Sequence, residues 1–126
     1  MLDPVKSIPF PITQLLRAPV QARALWRAGA AVVTAGICEE VIYRGFLLRY
    51  LQEGPMRLNA PIALIFSSVM FGLFHAGQGV GAILGTAVGG FLFGVIFLGR
   101  GSLLLPILLH ALNNLRVVAM AYLASG

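Results

Sequence analysis

An all-helical fold embedded in a membrane is the architecture this sequence predicts, and three observations carry the prediction. Between Leu58 and Gly99 there are 42 consecutive residues without Asp, Glu, Lys or Arg, room for two spans at ~20 residues each. Hydrophobic residues make up 59% of the 126-residue chain and charged residues only 10%, where an ordinary soluble globule carries about 25% charged residues. The few acids are also gathered. Two of the four, Glu39 and Glu40, are adjacent inside an apolar run, with Arg44 one turn further on. At this length the chain is one domain, expected as a polytopic protein with about four transmembrane helices and an interfacial N-terminal segment.

Met1 to Pro11 holds three prolines and no helical period, and reads as an irregular lead-in. Nothing there has the basic start and apolar run of a cleavable signal. From Ile12 to Arg27, Leu15, Leu16, Val20, Leu25 and Trp26 mix with Arg17, Arg23 and Arg27, the composition of a segment at headgroup level. Residues 1–27 are therefore set apart from a core at 28–126. Ala28 to Leu48 is long enough to span and carries the charged cluster in its second half. Tyr50 to Asn59 is expected as a connection, with Asn59 placed to cap a helix opened by Pro61. That helix, Pro61 to about His75, is short for a span.

Gly77-Gln78-Gly79 interrupts the apolar run, and a third segment follows from Val80 to Leu98. Its glycines recur every four residues, Gly77, Gly81, Gly85 and Gly89 in one row and Gly90 and Gly94 in another. Small residues at this spacing let a neighbouring helix approach closely, so both rows are expected to pack. Gly99 to Ser102 reads as a turn, and Leu103 to Leu123 as a last span with Pro106 in its first turn.

The net charge of +5 comes from one lysine and eight arginines. Outside Arg44 these mostly flank the apolar runs, as contacts with anionic lipid headgroups do, and nothing points to nucleic acid. The single cysteine, Cys38, reads as a small buried apolar residue rather than a nucleophile. Four cationic residues before the first span face three on the other side, too even to orient the chain.

The polar groups left inside the apolar segments are Glu39, Glu40, Arg44, His75, His110, Asn113, Asn114 and Arg116. Ionisable residues at that depth are costly and are functional candidates by default. Residues four apart share a helix face, so Glu40 pairs with Arg44, Phe71 aligns with His75, and His110 projects with Asn114. Glu39 lies about 100° away from Glu40 and escapes that pairing. A carboxylate, two histidines and an amide on three helices suit hydrolysis: a carboxylate sheltered from bulk water is a good general base, and a histidine can share the water it activates. A second histidine and an amide can hold an oxyanion. A divalent-metal reading, zinc above all, competes through Glu39, His75 and His110, although no His-Glu-x-x-His helix is present. From helix rise alone, His75 falls ~10 Å deeper than the other two, which requires a tilted or partly inserted second segment if one site is to form.

Glu39-Glu40-x-x-x-Arg44, Phe71-x-x-x-His75 and His110-x-x-x-Asn114, in that order on successive apolar helices, resemble the three motifs of the CPBP intramembrane protease family, which takes in the type II CAAX prenyl proteases and the Abi bacteriocin-immunity proteins. The resemblance covers Ala28 to about Val118. It implies that Glu39 activates water with His75, that His110 and Asn114 stabilise the oxyanion, and that Glu40, Arg44 and Phe71 support the site. It implies no obligatory cofactor, with metal dependence as the alternative. The implied substrate is a peptide or lipidated protein tail at the membrane surface, met from the cytoplasmic side of a prokaryotic membrane. Members usually carry further helices ahead of the first motif, so upstream helices or a homo-oligomer are expected to complete the chain. A non-catalytic immunity or partner-binding protein and a transporter or proton-relay fragment are the rival functions.

Overall fold

The computed structural model describes residues 20–124, and among these the chain is helical with no strand. Helix α1 (Val20–Glu40) continues without a break into a π-helical stretch, Val41–Leu48, and then into a short α2 (Arg49–Glu53). After a connection at 54–59 come α3 (Ala60–Phe74), a single 3₁₀ turn (Ala76–Gln78), α4 (Val80–Arg100) and α5 (Leu104–Ala124).

Several boundaries differ from the sequence reading. Residues 20–27, expected in the interfacial segment, form the first two turns of α1; residues 12–19 lie outside the described part. The apolar stretch that begins at Ala28 marks where the chain becomes uniformly lipophilic, not where its backbone becomes helical. Residues 49–53 are helix rather than connection. Asn59 does cap α3, its side chain accepting from the Ile62 backbone N–H at 3.0 Å, with Pro61 in the first turn where a missing N–H costs nothing.

The count of spans is lower than expected. By length and composition two helices are long and apolar enough to cross a membrane, α4 and α5, while α3 has only 15 residues and α1 carries Arg23, Arg27, Glu39 and Glu40. The all-helical, membrane-like character stands; four full spans do not. Large apolar side chains face outward along every long helix, among them Trp26, Ile65, Phe74, Leu84, Leu92, Leu112 and Leu123. Only a small interior cluster is sealed from them: Leu48, Leu51, Ala63, Leu64 and Phe97, with Leu103 against it. An apolar exterior around so small a core is the arrangement lipid permits and water does not.

The helices pack as two pairs, α3 with α4 and α1 with α5. Glycines set both contacts. A Cβ at Gly36 of α1 would lie 3.3 Å from the Ala111 backbone N, and one at Gly72 of α3 would lie 2.6 Å from the Ile83 carbonyl oxygen. Gly101 has φ +65° and closes α4, its N–H donating to the Phe97 carbonyl at 2.8 Å, a left-handed cap that glycine adopts without strain. The two pairs meet along the π-helical stretch, and a cleft opens between them.

Candidate active site

The charged cluster at the end of α1 is the floor of that cleft. Glu40, Arg44 and Leu48 are all buried and recur every four residues, so one face of the helix turns into the protein as it passes from α to π geometry. Arg44 donates from Nη1 to Glu40 Oε1 at 2.9 Å and from Nη2 to the Gly90 carbonyl at 2.7 Å. Its guanidinium lies 4.7 Å from the centre of the Phe71 ring and 5.7 Å from that of Phe93. A buried ion pair is tolerable when its other donors and acceptors are met; α4 and α3 supply partners for the guanidinium, while Glu40 Oε2 is buried without a hydrogen bond among the described residues. One turn beyond Arg44, Leu48 packs with Leu51, Ala63, Leu64 and Phe97 in the apolar cluster.

Glu40 holds a second partner that spacing did not suggest: His110 Nδ1 lies 2.8 Å from Glu40 Oε1. The carboxylate beside Arg44 accepts, so Nδ1 carries a proton, and on a singly protonated ring Nε2 is an acceptor. His75 reaches the same state by another route. It terminates α3, and its Nδ1 lies 2.9 Å from the Phe71 carbonyl, which can only accept. Both Nε2 atoms then face one oxygen. Glu39 Oε2 is 3.6 Å from His110 Nε2 and 4.0 Å from His75 Nε2, and it is buried without a hydrogen bond among the described residues. With both rings singly protonated, three acceptors face one another, and water, with two hydrogens, is the simplest donor between them.

The expected site residues therefore gather, and the depth mismatch of His75 is resolved: wherever α3 lies in the bilayer, its C-terminus reaches Glu39. Asn114, four residues beyond His110, lines the same cleft together with Glu39, Phe71 and His75. Among the described residues its amide makes no hydrogen bond, and it is open to the cleft. The cleft encloses about 850 Å³. Cys38 departs from expectation; it is exposed rather than buried, and it is not on the cleft wall.

Three participants were not legible. Phe93 stacks on the His110 ring at 5.3 Å with 25° between planes, and no spacing ties it to any motif. Gly90 was read as helix packing, but it also supplies the carbonyl that Arg44 uses, and a Cβ there would sit 2.9 Å from Nη2 and 2.8 Å from Phe71. Ser67 donates to the Tyr43 carbonyl at 3.1 Å, a backbone acceptor within the π-helical stretch. A π segment can mark a functional site, but nothing in its sequence, Val41 to Leu48, announces the wider turn.

The residue types suit a metal: two imidazoles and a carboxylate, each histidine steadied through its other nitrogen, as metal ligands are. Their placement does not. No group of three His, Cys, Asp or Glu residues among those described converges closely enough to hold an ion.

The family model for type II CAAX prenyl endopeptidase Rce1-like proteins matches residues 21–116, which includes all three motifs. No curated protein and no solved structure matches the chain.

Proposed function

The chain belongs to the type II CAAX prenyl endopeptidase Rce1-like family, integral membrane proteases, and from that premise we propose that its cleft hydrolyses a peptide bond in a membrane-associated, lipidated protein tail, with Glu39 as the general base. One observation carries the reading: the buried, unpartnered Glu39 Oε2 faced by both Nε2 atoms. A water donating one hydrogen to Glu39 and the other to His75 Nε2 is held with its oxygen lone pairs toward the cleft. Glu39 takes the proton as the oxygen attacks the scissile carbonyl, and returns it to the leaving amine as the C–N bond breaks.

The negative charge that develops on the carbonyl oxygen needs donors. Asn114 offers an amide N–H. His110 offers Nε2–H only when the ring carries a second proton, and Glu40 on Nδ1 is then its counter-ion. Glu40 and Arg44 thus act through His110: they hold the ring and balance its charge. In this reading Glu39 and His75 activate the water without a metal.

The test is cleavage of a fluorescent farnesylated Cys-a-a-X peptide by the chain in liposomes. Glu39→Gln is expected to lower kcat by about 10²–10⁴-fold with its melting temperature unchanged, since no hydrogen bond to Oε2 is lost. Cleavage by that variant at the native rate would remove Glu39 from the chemistry. Chelator sensitivity restored by zinc would replace the metal-free route.

The rival functions are less well supported. A proton relay needs a polar path on both sides of the site, and the buried Glu40–Arg44 layer is backed by leucine and phenylalanine.

A further inference from the structure

The chemistry above leaves Asn113 and Arg116 unused. They lie three residues apart on α5 and share a face. Both line the main cleft and an adjoining pocket of about 450 Å³ walled by Leu109 and Leu112. Among the described residues that line the cleft, Arg116 is the only lysine or arginine. Among the described residues it has no ion pair or hydrogen bond.

Its place in the helix makes that unusual. Arg116 stands about 18 Å from the first residue of α5 and about 12 Å from the last, in a helix long and apolar enough to span. A cation there is expected to pair or to face a water-filled cavity. The acids of the described part are Glu39, Glu40 and Glu53. Glu40 is committed to Arg44 and His110, and Glu39 to the histidine pair. Glu53 is on α2, at the far end from the cleft. The guanidinium therefore offers its donors to whatever enters the cleft.

We propose that Arg116, with Asn113 beside it, is the part of this chain that binds the free α-carboxylate at the C-terminus of the substrate. The proposal rests on the endopeptidase reading for the position of the scissile bond. From His110 to Arg116 is six residues, about 9 Å along the helix axis. Three extended residues reach about 10 Å, and a cut beside the cysteine of a C-terminal Cys-a-a-X tail leaves three. A guanidinium fork matches a carboxylate with two parallel hydrogen bonds. Leu109, Leu112 and Val117 line the way, suited to the aliphatic residues between.

The experiment measures binding without turnover. A farnesylated Cys-a-a-X peptide, as the free acid and as the C-terminal amide, is titrated against the full chain carrying Glu39→Gln in phosphatidylcholine nanodiscs, and against the same chain with Arg116→Gln or Arg116→Lys added. The free acid is expected to bind about tenfold more tightly than the amide. Arg116→Gln should abolish the difference, and Arg116→Lys should keep part of it. Equal affinity for acid and amide with Arg116 in place overturns the proposal, as does a preference that survives Arg116→Gln, or failure to bind either peptide. If, in parallel nanodiscs that also carry phosphatidylglycerol, Arg116→Gln alters only the retention of that anionic lipid, the side chain is a lipid-phosphate anchor and the proposal fails. The two readings separate cleanly: binding of the acid with no cleavage by the native chain sinks the hydrolase and leaves this site, whereas cleavage of acid and amide at equal kcat/KM does the reverse.

Discussion

Glu39 and Glu40 differ by one position and by their entire surroundings. Glu40 is fully buried, its Oε1 tied to Arg44 and His110, while Glu39 Oε2 makes no hydrogen bond among the described residues and faces the two Nε2 atoms. Glu40→Ala is therefore expected to destabilise by about 3–5 kcal/mol, because Arg44 is left as an uncompensated buried cation. Adding Arg44→Met should restore most of that stability, since a well-packed apolar pair is often as stable as the ions it replaces. Cleavage should not return, because His110 Nδ1 still lacks its carboxylate. Thermal melting and the peptide assay on single and double variants separate the two effects. A double variant with native activity would reduce Glu40 to a packing role.

At the scale of elements, α4 is decisive, for its two glycine rows do different work. The row at Gly90 and Gly94 packs as expected: a Cβ would collide with Arg44 and Phe71 at one position and run into Leu64 at the other. The row at Gly77, Gly81, Gly85 and Gly89 does not pack, and a Cβ on any of these meets nothing within 4 Å; Gly85 and Gly89 instead form part of the cleft wall. Gly90→Ala is expected to cost about 1–3 kcal/mol by overpacking and to displace Arg44. Gly81→Ala should leave stability unchanged or raise it by about 0.5–1 kcal/mol, the usual gain over glycine inside a helix. Chemical denaturation in detergent distinguishes them, and equal effects would mean that the assignment of the two rows is wrong. Spacing alone marks both rows alike, because it reports which residues share a face but not what that face meets.

For the molecule as a whole, the outward display of leucine, valine and phenylalanine around a small core requires lipid. The chain is expected to stay in the membrane fraction after alkaline carbonate extraction, and release into the supernatant would contradict the membrane reading. The two helix pairs touch mainly at the π-helical stretch and leave the cleft between them. That division was not legible: periodicity predicts helices one at a time, and the pairing of α1 with α5 depends on Gly36 meeting Ala111, 75 positions later.

Sequence by itself determined what lipid and charge make costly to change. The helical, membrane-like class followed from scarce charge and long apolar runs, and the candidate site residues stood out because ionisable groups at membrane depth need a reason to be there. The family followed from three motifs in order. Tertiary structure decided what depends on rotation about an axis and on contact across distance. It moved the helix boundaries, left two helices among the described residues both long and apolar enough to span, assigned Glu40 to His110 as well as to Arg44, and brought His75 to Glu39. The physical reason is that hydrophobicity is a property of each residue, readable in place, whereas hydrogen-bond partnership is a property of pairs that exist only once the chain has folded.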